Sequence, residues 1–321
     1  MKSKVSILLL SYNQKEFIKD SIESSLNQSY KNLEIVISDN GSTDGTDEII
    51  KSYQDHPQVK LLLNNSNEPI TKRYNQALRY CEGEYISILY GDDYYLPEKI
   101  EKQLDCFKNL SSDWGVVHGP GYNLEVSNNK QTLAGCTKVH GEALEYILKN
   151  YYDGFINPIS PLVRRNCFLE YPSYEDLFTE GECLYLKFAL KYKFFFLDDP
   201  LVVMREHETN ARWFSKRNSE ILDTCLERLE GFEEFPQSCT TPLQRIKVKA
   251  LSNSAWQNIR LGVDVEWARK KLINAYRLSF ISFFFPRNMV ALLLTLSPNF
   301  LIKFFNNTLD LLLVRKKQIY K

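Results

Sequence analysis

Apolar residues in about the first hundred positions alternate between short runs and a spacing of three to four residues. The runs are Val5–Leu10, Leu33–Ser38, Val59–Leu63 and Tyr85–Leu89. A short, almost wholly apolar run is typical of a strand buried on both faces, and the wider spacing is typical of a helix. Because helical spacing follows each run, the pattern predicts an α/β fold with a mostly parallel sheet and helices on both faces.

The middle of the chain, from about residue 110 to 210, has a mixed pattern. A helix is predicted from about Gly181 to Tyr192. Short strands are predicted at Trp114–His118, Tyr122–Val126, Phe194–Leu197 and Leu201–Met204. From about Ser215 onward the spacing is helical. We therefore expect three parts: residues 1–105 and 106–214, which share the sheet domain, and a helical C-terminal region at 215–321.

The C-terminal end is apolar and rich in phenylalanine. Asn288–Ile302 has no charged residue, but Pro298 interrupts it. Since a membrane-spanning helix needs about 20 apolar residues, we predict no transmembrane segment. Arg315, Lys316 and Lys317 follow a further apolar stretch, and this combination suits peripheral contact with an anionic membrane surface. A helical pair packed on the main domain is the alternative.

Composition and charge exclude several classes of protein. The 321 residues can bury a sizeable core. The 40 Lys and Arg residues balance the 40 Asp and Glu residues, so the chain lacks the basic footprint of a general nucleic-acid binder. The seven cysteines are widely spaced and include no CxxC, and no signal-peptide pattern follows Leu10. These features predict a cytoplasmic protein with unpaired thiols.

Polar side chains follow three of the four predicted strands. They are Ser11, Tyr12 and Asn13 after the first, Asp39 at the end of the second, and Asp92 and Asp93 after the fourth. Sheets of this kind bind ligands at the carboxyl ends of their strands. Two adjacent carboxylates repel each other, and a hard cation such as Mg²⁺ or Mn²⁺ would compensate. A solvated turn is the alternative for the acidic pair, and a helix-capping turn is the alternative for Asp39.

Three segments in order carry a resemblance to a known family. They are VSILLLSYN, EIVISDNGSTDGT and NQALRYCEGEYISILYGDD. Together they resemble the family 2 glycosyltransferases, strongly over residues 4–105, moderately over 106–212 and thinly beyond. The resemblance implies a Rossmann-like GT-A fold. It also implies transfer of a sugar from a nucleoside diphosphate, with UDP favoured, to a carbohydrate acceptor with inversion of the anomeric centre.

The resemblance also implies roles for the nucleotide-binding residues. Ser11, Tyr12 and Asn13 would line the nucleotide pocket, and Asp39 would contact the base. Arg73, in the segment Arg73-Tyr-Asn, would contact the base or a phosphate. A solvated helix face is the alternative for Arg73.

A divalent metal, Mn²⁺ or Mg²⁺, follows from the same resemblance. Asp92 would lie near the ribose hydroxyls, Asp93 would bind the metal, and His207 is the second candidate ligand. Arg205 is a further candidate for phosphate contact. A bound cation would stabilise the negative charge that gathers on the departing diphosphate.

The resemblance places the general base at the start of a helix in the second half of the domain. Glu182 is the favoured candidate and Glu180 the second. Gly181 separates the two acids here, which departs from the adjacent acids common in the family. The alternative is that Thr179 caps this helix and both acids favour its positive end.

The expected process is synthesis of a bacterial surface polysaccharide, with a glycan or lipid-linked glycan acceptor at the inner face of the cell membrane. A nucleotidyltransferase is one alternative function, although no glycine-rich phosphate loop follows Leu10. A membrane-associated scaffold that binds nucleotide sugars without turnover is another.

Overall fold

A computed structural model describes the chain over residues 3–152, 154, 156–208, 216–261 and 264–297. The chain forms two compact units. The first comprises Met1–Trp213 with Gly231–Phe235, and the second comprises Phe214–Glu230 with Pro236–Lys321. This division lies next to the predicted boundary at residue 214. Residues 1–105 and 106–213 fall in the same unit.

The sheet begins with four parallel strands separated by helices. The strands are β1 Val5–Ser11, β2 Leu33–Asp39, β3 Val59–Leu63 and β4 Tyr85–Tyr90. The helices are α1 Ile18–Leu26, α2 Thr46–Lys51 and α3 Ile70–Leu78. β1 lies between β2 and β4, and β3 lies outside β2. All seven residues of β1 and of β2 are buried, as their apolar runs predict.

The rest of the first unit extends this sheet and adds a second one. The further strands are β5 Tyr94–Tyr95, β6 Trp114–His118, β7 Tyr122–Glu125, β8 Lys130–Leu133, β9 Gly141–Glu142, β10 Leu162–Arg164, β11 Lys193–Phe196 and β12 Val202–Glu206. The further helices are α4 Lys99–Phe107, α5 Leu144–Lys149, α6 Arg165–Glu170 and α7 Cys183–Phe188.

In the large sheet the strand order is β3-β2-β1-β4-β10-β6-β11-β9, and the small sheet has the order β5-β12-β7-β8. β10 is antiparallel to both β4 and β6, whereas β6 and β11 are parallel. The prediction of an α/β fold with a mostly parallel sheet is therefore confirmed. The small sheet and the short strands β9 and β10 were not predicted.

The predicted helix from Gly181 to Tyr192 is too long. α7 ends at Phe188, and the backbone N–H groups of Lys191 and Tyr192 both donate to the Phe188 carbonyl. Ala189 and Tyr192 remain buried although the helix has ended. The apolar spacing thus continues beyond the end of α7 into turns. There, helical spacing does not indicate a helix.

The core of the first unit is built on β1 and α1. Ile7, Leu9, Ile18 and Ile22 are all 0% exposed within one apolar cluster. Since burying an aliphatic side chain stabilises a fold by roughly 1.5–3 kcal/mol, this cluster holds β1 firmly. The carboxyl end of β1 is consequently a fixed platform for the loops that follow the strands.

The second unit is helical, as predicted, over its described residues. Its helices are α8 Lys216–Glu230, α9 Thr240–Leu261, α10 Val265–Leu278 and α11 Pro286–Leu296, with short 3-10 helices at Gln237–Cys239 and Phe280–Phe284. No helix in the described ranges is long and apolar enough to cross a membrane. Pro298 and the predicted basic end at Arg315–Lys317 lie outside the described residues.

Candidate active site

The polar clusters predicted at the strand ends lie on one edge of the large sheet. Ser11 and Asp39 are register partners at the ends of β1 and β2. The N–H of Asn40 donates to the Ser11 carbonyl, and the N–H of Gly91 donates to the Leu10 carbonyl. The loops after β1, β2 and β4 therefore begin side by side.

The loop after β1 is fastened to the loop after β2. Asn13, with a φ of 52°, donates its N–H to Ser42 Oγ at 2.9 Å and accepts from the Thr43 N–H at 2.8 Å. Asparagine tolerates this left-handed conformation better than most residues. Ser11 is buried, whereas Tyr12 is 41% exposed at the edge. Of these three residues, Tyr12 and Asn13 are exposed and therefore accessible to a ligand.

Asp39 is 1% exposed and forms a tight turn. Its two carboxylate oxygens accept from the N–H of Ser42 at 2.9 Å and from its hydroxyl at 2.6 Å. Gly41 allows this turn because its φ is 77° and because a Cβ there would lie 2.7 Å from the Ser66 backbone. Asp39 therefore stabilises a turn, as its alternative role predicts, but it does not cap α2, whose N-cap residue is Gly45. Contact with a nucleotide base stays a prediction.

Arg73 is buried in a polar network, so the alternative of a solvated helix face is wrong. Its guanidinium donates to Asn40 Oδ1 at 3.2 Å and to Asn64 Oδ1 at 2.5 Å, and it pairs with Glu68 at 3.0 Å. These partners follow β2 and β3, and Arg73 thus connects α3 to both loops. Asn64 and Glu68 were not predicted, although both follow β3 as the candidate residues follow their strands.

Asp92 and His207 lie together although 115 residues separate them. His207 Nε2 is 3.3 Å from Asp92 Oδ2, and the two side chains are 12% and 15% exposed for His207 and Asp92 respectively. The imidazole also packs on the Phe17 ring at a centroid distance of 4.7 Å. Carboxylate oxygen and imidazole nitrogen are both ligands for divalent metals. The structure thus brings two potential ligands to one point after β4 and β12.

Asp93 and Arg205 connect the acidic pair to β12. Asp93 Oδ1 accepts from the Arg205 N–H at 2.8 Å, and the Arg205 guanidinium donates to the Asp92 carbonyl at 3.0 Å. The same guanidinium pairs with Asp20 at 2.5 Å and lies 4.7 Å from the Tyr94 ring centroid. The Arg205 side chain thus forms its hydrogen bond and ion pair with other residues of the protein. Its bonds hold the acidic pair close to the segment that carries His207.

Glu180 is buried in an ion pair with Lys187. Their charged atoms are 2.7 Å apart, and the side chains are 2% and 3% exposed. Burial raises the pKa of Glu180, while the Lys187 ammonium opposes that rise. Lys187 Nζ also donates to the Pro172 carbonyl at 2.6 Å and lies 4.1 Å from the Tyr174 ring centroid. Glu180 is therefore fixed within the protein.

Glu182 is exposed and occupies the N-cap position of α7. The alternative in which Thr179 caps this helix is therefore wrong. Burial raises the pKa of Tyr90 to about 12, and the charges of Asp93, Asp92 and Glu182 contribute to that rise. All three carboxylates therefore lie close enough to Tyr90 to interact with it electrostatically, which places the start of α7 near the acidic pair.

A small cavity of about 30 Å³ lies next to these residues. Tyr74, Tyr90, Glu180, Gly181 and Tyr185 are among the residues that line it. Among the described residues, the buried hydroxyl of Tyr74 has no hydrogen-bond partner. Because roughly 10–15 Å³ is enough to hold one water molecule, this cavity has room for water beside the start of α7.

Comparison with known proteins assigns the chain to a family. The family model described as glycosyl transferase family 2 matches residues 6–166, which is half of the chain. The chain belongs to this family, as the three motifs predict.

Curated relatives match between about a third and most of the chain. The putative glycosyltransferase EpsE of Bacillus subtilis is 41% identical over 103 residues, which cover 32% of this chain and 37% of the relative. The glucosyltransferase WfaP of Escherichia coli is 40% identical over 100 residues, covering 31% and 39%. An uncharacterized glycosyltransferase of Rickettsia typhi, RT0329, is 25% identical over 279 residues, covering 86% and 83%. The chain thus spans little more than a third of EpsE and WfaP.

Solved structures confirm the predicted GT-A fold. S. aureus TarS 1-349, solved in complex with UDP-GlcNAc, superimposes with a TM-score of 0.67 at 17% identity and covers 86% of this chain and 81% of its own. The mannosyltransferase PcManGT of Pyrobaculum calidifontis, solved with GDP-Man and Mn²⁺, has a TM-score of 0.59 at 15% identity, with coverages of 94% and 88%.

Proposed function

We propose that this protein transfers a sugar from a nucleoside diphosphate sugar to a carbohydrate acceptor. The observation that carries the proposal is the meeting of Asp92 and His207, 3.3 Å apart, at the sheet edge where β1, β2 and β4 end. Membership of glycosyl transferase family 2 supports sugar transfer as the reaction. The UDP-GlcNAc and GDP-Man in the two structural neighbours support a nucleotide sugar as the donor. UDP remains the favoured nucleotide.

The nucleotide would lie along the edge formed by the loops after β1 and β2. Exposed Tyr12 and adjacent Asn13 would contact it, with Ser11 and Asp39 beneath. Arg73 holds the loops after β2 and β3 through Asn40 and Asn64. We therefore expect Arg73 to shape the pocket through its network as well as by any direct contact.

The residues present fit a divalent cation. Within the described ranges no group of three or more His, Cys, Asp and Glu residues could hold a metal. Two protein ligands suit a cation whose other ligands are phosphate oxygens. We propose His207 with Asp93 as those ligands, and Asp92, which is in contact with His207, as the alternative. When bound, the cation would neutralise charge on the departing diphosphate.

Glu182 is the proposed general base. A base must reach the acceptor hydroxyl, and Glu182 is exposed whereas Glu180 is buried beside Lys187. The Glu182 carboxylate would take the hydroxyl proton as the acceptor oxygen attacks the anomeric carbon and the bond to the diphosphate breaks. A single displacement of this kind inverts the anomeric configuration.

The proposed acceptor is a lipid-linked glycan at the cytoplasmic face of a bacterial membrane. The name of WfaP describes transfer of glucose to a GlcNAc-diphosphoundecaprenol, and the relative TuaG is a putative teichuronic acid biosynthesis glycosyltransferase. These names support synthesis of a surface polysaccharide. They also support peripheral contact with the membrane.

A panel of nucleotide sugars, incubated with the protein and Mn²⁺ or Mg²⁺, tests the proposal through release of nucleoside diphosphate. We expect release from at least one UDP-sugar, and slower release at the same Mn²⁺ concentration in Asp93→Asn. A folded protein that binds a donor but releases nothing with any acceptor would favour the scaffold alternative. Release of pyrophosphate from a nucleoside triphosphate and a sugar phosphate would favour the nucleotidyltransferase.

A further inference from the structure

The second unit carries an exposed apolar surface on the 3-10 helix Phe280–Phe284 and on α11. We name this surface the apolar face. It consists of Phe280, Ile281, Phe284, Phe285, Leu293 and Leu296, which are 71%, 71%, 59%, 54%, 63% and 64% exposed. A globular protein rarely leaves so many large apolar side chains together in water, and such patches mark interaction sites.

The inner side of this segment is partly polar. Ser282, Asn288 and Thr295 are 1%, 3% and 2% exposed and lie inside together with Ala291 and Leu294, while the larger apolar side chains of the apolar face lie outside. Met289, Leu293 and Leu296 are spaced four and three residues apart, which places them on one side of α11. The solvent-facing side of α11 is therefore apolar and suited to contact with an apolar environment.

Hydrogen bonds hold the apolar face in this orientation. The amide of Asn288 donates to the Ser282 carbonyl at 2.9 Å, and the Ser282 hydroxyl donates to the Ala275 carbonyl at 3.2 Å. Tyr276 Oη donates to the Asn288 carbonyl at 3.0 Å. Because the buried polar groups are paired, turning the segment to bury its phenylalanines would break these bonds. The outward apolar side chains are thus part of a defined fold.

The charged residues that flank the 3-10 helix Phe280–Phe284 in the chain are both basic. From residue 267 to residue 309 the sequence contains no Asp or Glu. Its charged residues are Arg269, Lys270, Lys271, Arg277, Arg287 and Lys303. Lys270 and Lys271 pair with Glu266 and Asp223. Arg277, at the end of α10, and Arg287, at the start of α11, are exposed on either side of the 3-10 helix, although Arg277 also lines a cavity with Asp223. A cationic segment with outward phenylalanine and leucine is typical of a surface that binds anionic lipid.

We propose that the apolar face docks on an anionic lipid surface, with its apolar side chains at the boundary between headgroups and acyl chains. The positive charge selects this partner over a neutral surface or a second copy of the same cationic segment. The apolar face would be the site of the membrane contact suggested under the proposed function. Docking rests on the proposed function only in assuming a lipid-linked acceptor, so lipid binding and sugar transfer can each be disproved separately.

Flotation of the full chain with phosphatidylcholine vesicles, with and without phosphatidylglycerol, tests the proposal. The test variant is F284S/L293Q/L296Q, and the matched control is L133Q/L169Q, whose two leucines are each 65% exposed in the first unit. A third variant, Arg277→Gln, removes one exposed charge. Circular dichroism and thermal midpoints confirm that each variant folds.

We expect the wild-type chain to float with anionic vesicles and to dissociate as salt is added. The test variant should bind at least about tenfold more weakly, because several apolar side chains no longer enter the lipid. The control should bind as the wild type does, and Arg277→Gln should bind more weakly to anionic vesicles alone. Nucleotide release without vesicles should be the same in the wild type and the test variant.

Three results would overturn the proposal. The test variant could float as well as the wild type, or the wild type could fail to float with anionic vesicles. The wild type could also be a dimer that the test variant converts to a monomer, with no vesicle binding, in which case a second copy covers the face. Vesicle binding without nucleotide release from any donor would instead contradict the proposed function and leave the docking face supported.

Discussion

Glu180 and Lys187 form an ion pair of 2.7 Å in which neither side chain is more than 3% exposed. Lys187 also reaches the Pro172 carbonyl, so the pair ties the segment before α7 to that helix. Glu182 lies between the two partners in sequence. We infer that Glu180 positions the start of α7, whereas Glu182 faces the acceptor.

Removing Lys187 should destabilise the protein. Lys187→Met leaves Glu180 buried without its cation, and breaking a buried pair in this way costs roughly 3–5 kcal/mol. The double variant E180Q/K187M should lose less than the sum of the two single changes, since neither charge then remains. Urea denaturation measures all three free energies of unfolding.

Lys149→Met is the matched control for this cycle. Lys149 pairs with Glu145 at 2.5 Å, but the side chains are 58% and 45% exposed. An exposed pair contributes less than about 1 kcal/mol, so the control should unfold much as the wild type does. Equal losses for Lys149→Met and Lys187→Met would contradict a stabilising role for the buried pair.

Glu182→Gln and Glu180→Gln should affect transfer differently. If Glu182 is the base, its amide should lower the rate of sugar transfer by about 10²–10⁴-fold while the donor still binds. Glu180→Gln should change the rate by less than about tenfold, because that side chain only positions the helix. Initial rates together with donor binding separate the two roles. The reverse ranking would make Glu180 the base.

His207→Gln should weaken the response to metal. If the imidazole is a ligand, the Mn²⁺ concentration for half-maximal nucleotide release should rise by about 10–100-fold. Asp92→Asn and Asp93→Asn identify the carboxylate that is the other ligand. Replacing the ligand should raise the Mn²⁺ concentration for half-maximal release more than replacing its neighbour. His140→Gln is the control, because His140 is exposed and contacts Trp114 and Phe195 instead. An unchanged Mn²⁺ requirement in His207→Gln would remove His207 from the proposed site.

Glu34 should govern part of the acid stability of the first unit. Burial alone would raise the pKa of this carboxyl, but hydrogen bonds from Lys4, Ser6 and Lys60 lower it from 4.5 to about 2. The folded state therefore binds the proton less tightly than the unfolded chain. The resulting stability is present above about pH 4.5 and is lost as the pH falls towards 2, by roughly 3 kcal/mol.

The comparison of wild type with Glu34→Gln tests this dependence. Their free energies of unfolding, measured by urea from pH 7 down to the lowest pH at which both fold, should converge as the pH falls from 4.5. Asp47→Asn is the control, because the Asp47 carboxylate pairs with Lys51 on the surface and should contribute much less. Parallel curves for wild type and Glu34→Gln would show that Glu34 does not carry the effect.

The first half of the fold could be predicted because its strands are continuous apolar runs. Val59–Leu63 has the predicted bounds, and β1, β2 and β4 each extend one residue further than predicted. The short strand β10 could not be predicted, since three residues show no periodicity. β8 was also missed, because all four of its residues are exposed and so give no apolar signal.

The candidate site could be predicted only as far as its residues lie at strand ends. Asp39, Asp92 and His207 each lie at or just after the end of a strand, and family resemblance suggests their chemistry. The buried pairing of Glu180 with Lys187 has no signal in the sequence. Two charged residues seven positions apart are ordinarily both solvated. The contact of Asp92 with His207 depends on β12 returning beside β5, which only the folded chain shows.

A crystal structure of the protein with UDP and Mn²⁺ would locate the nucleotide and the metal. We expect nucleotide density along the loops after β1 and β2, with the cation bound by His207 together with Asp92 or Asp93. Nucleotide or metal bound away from this edge, with these side chains unchanged, would contradict this expectation.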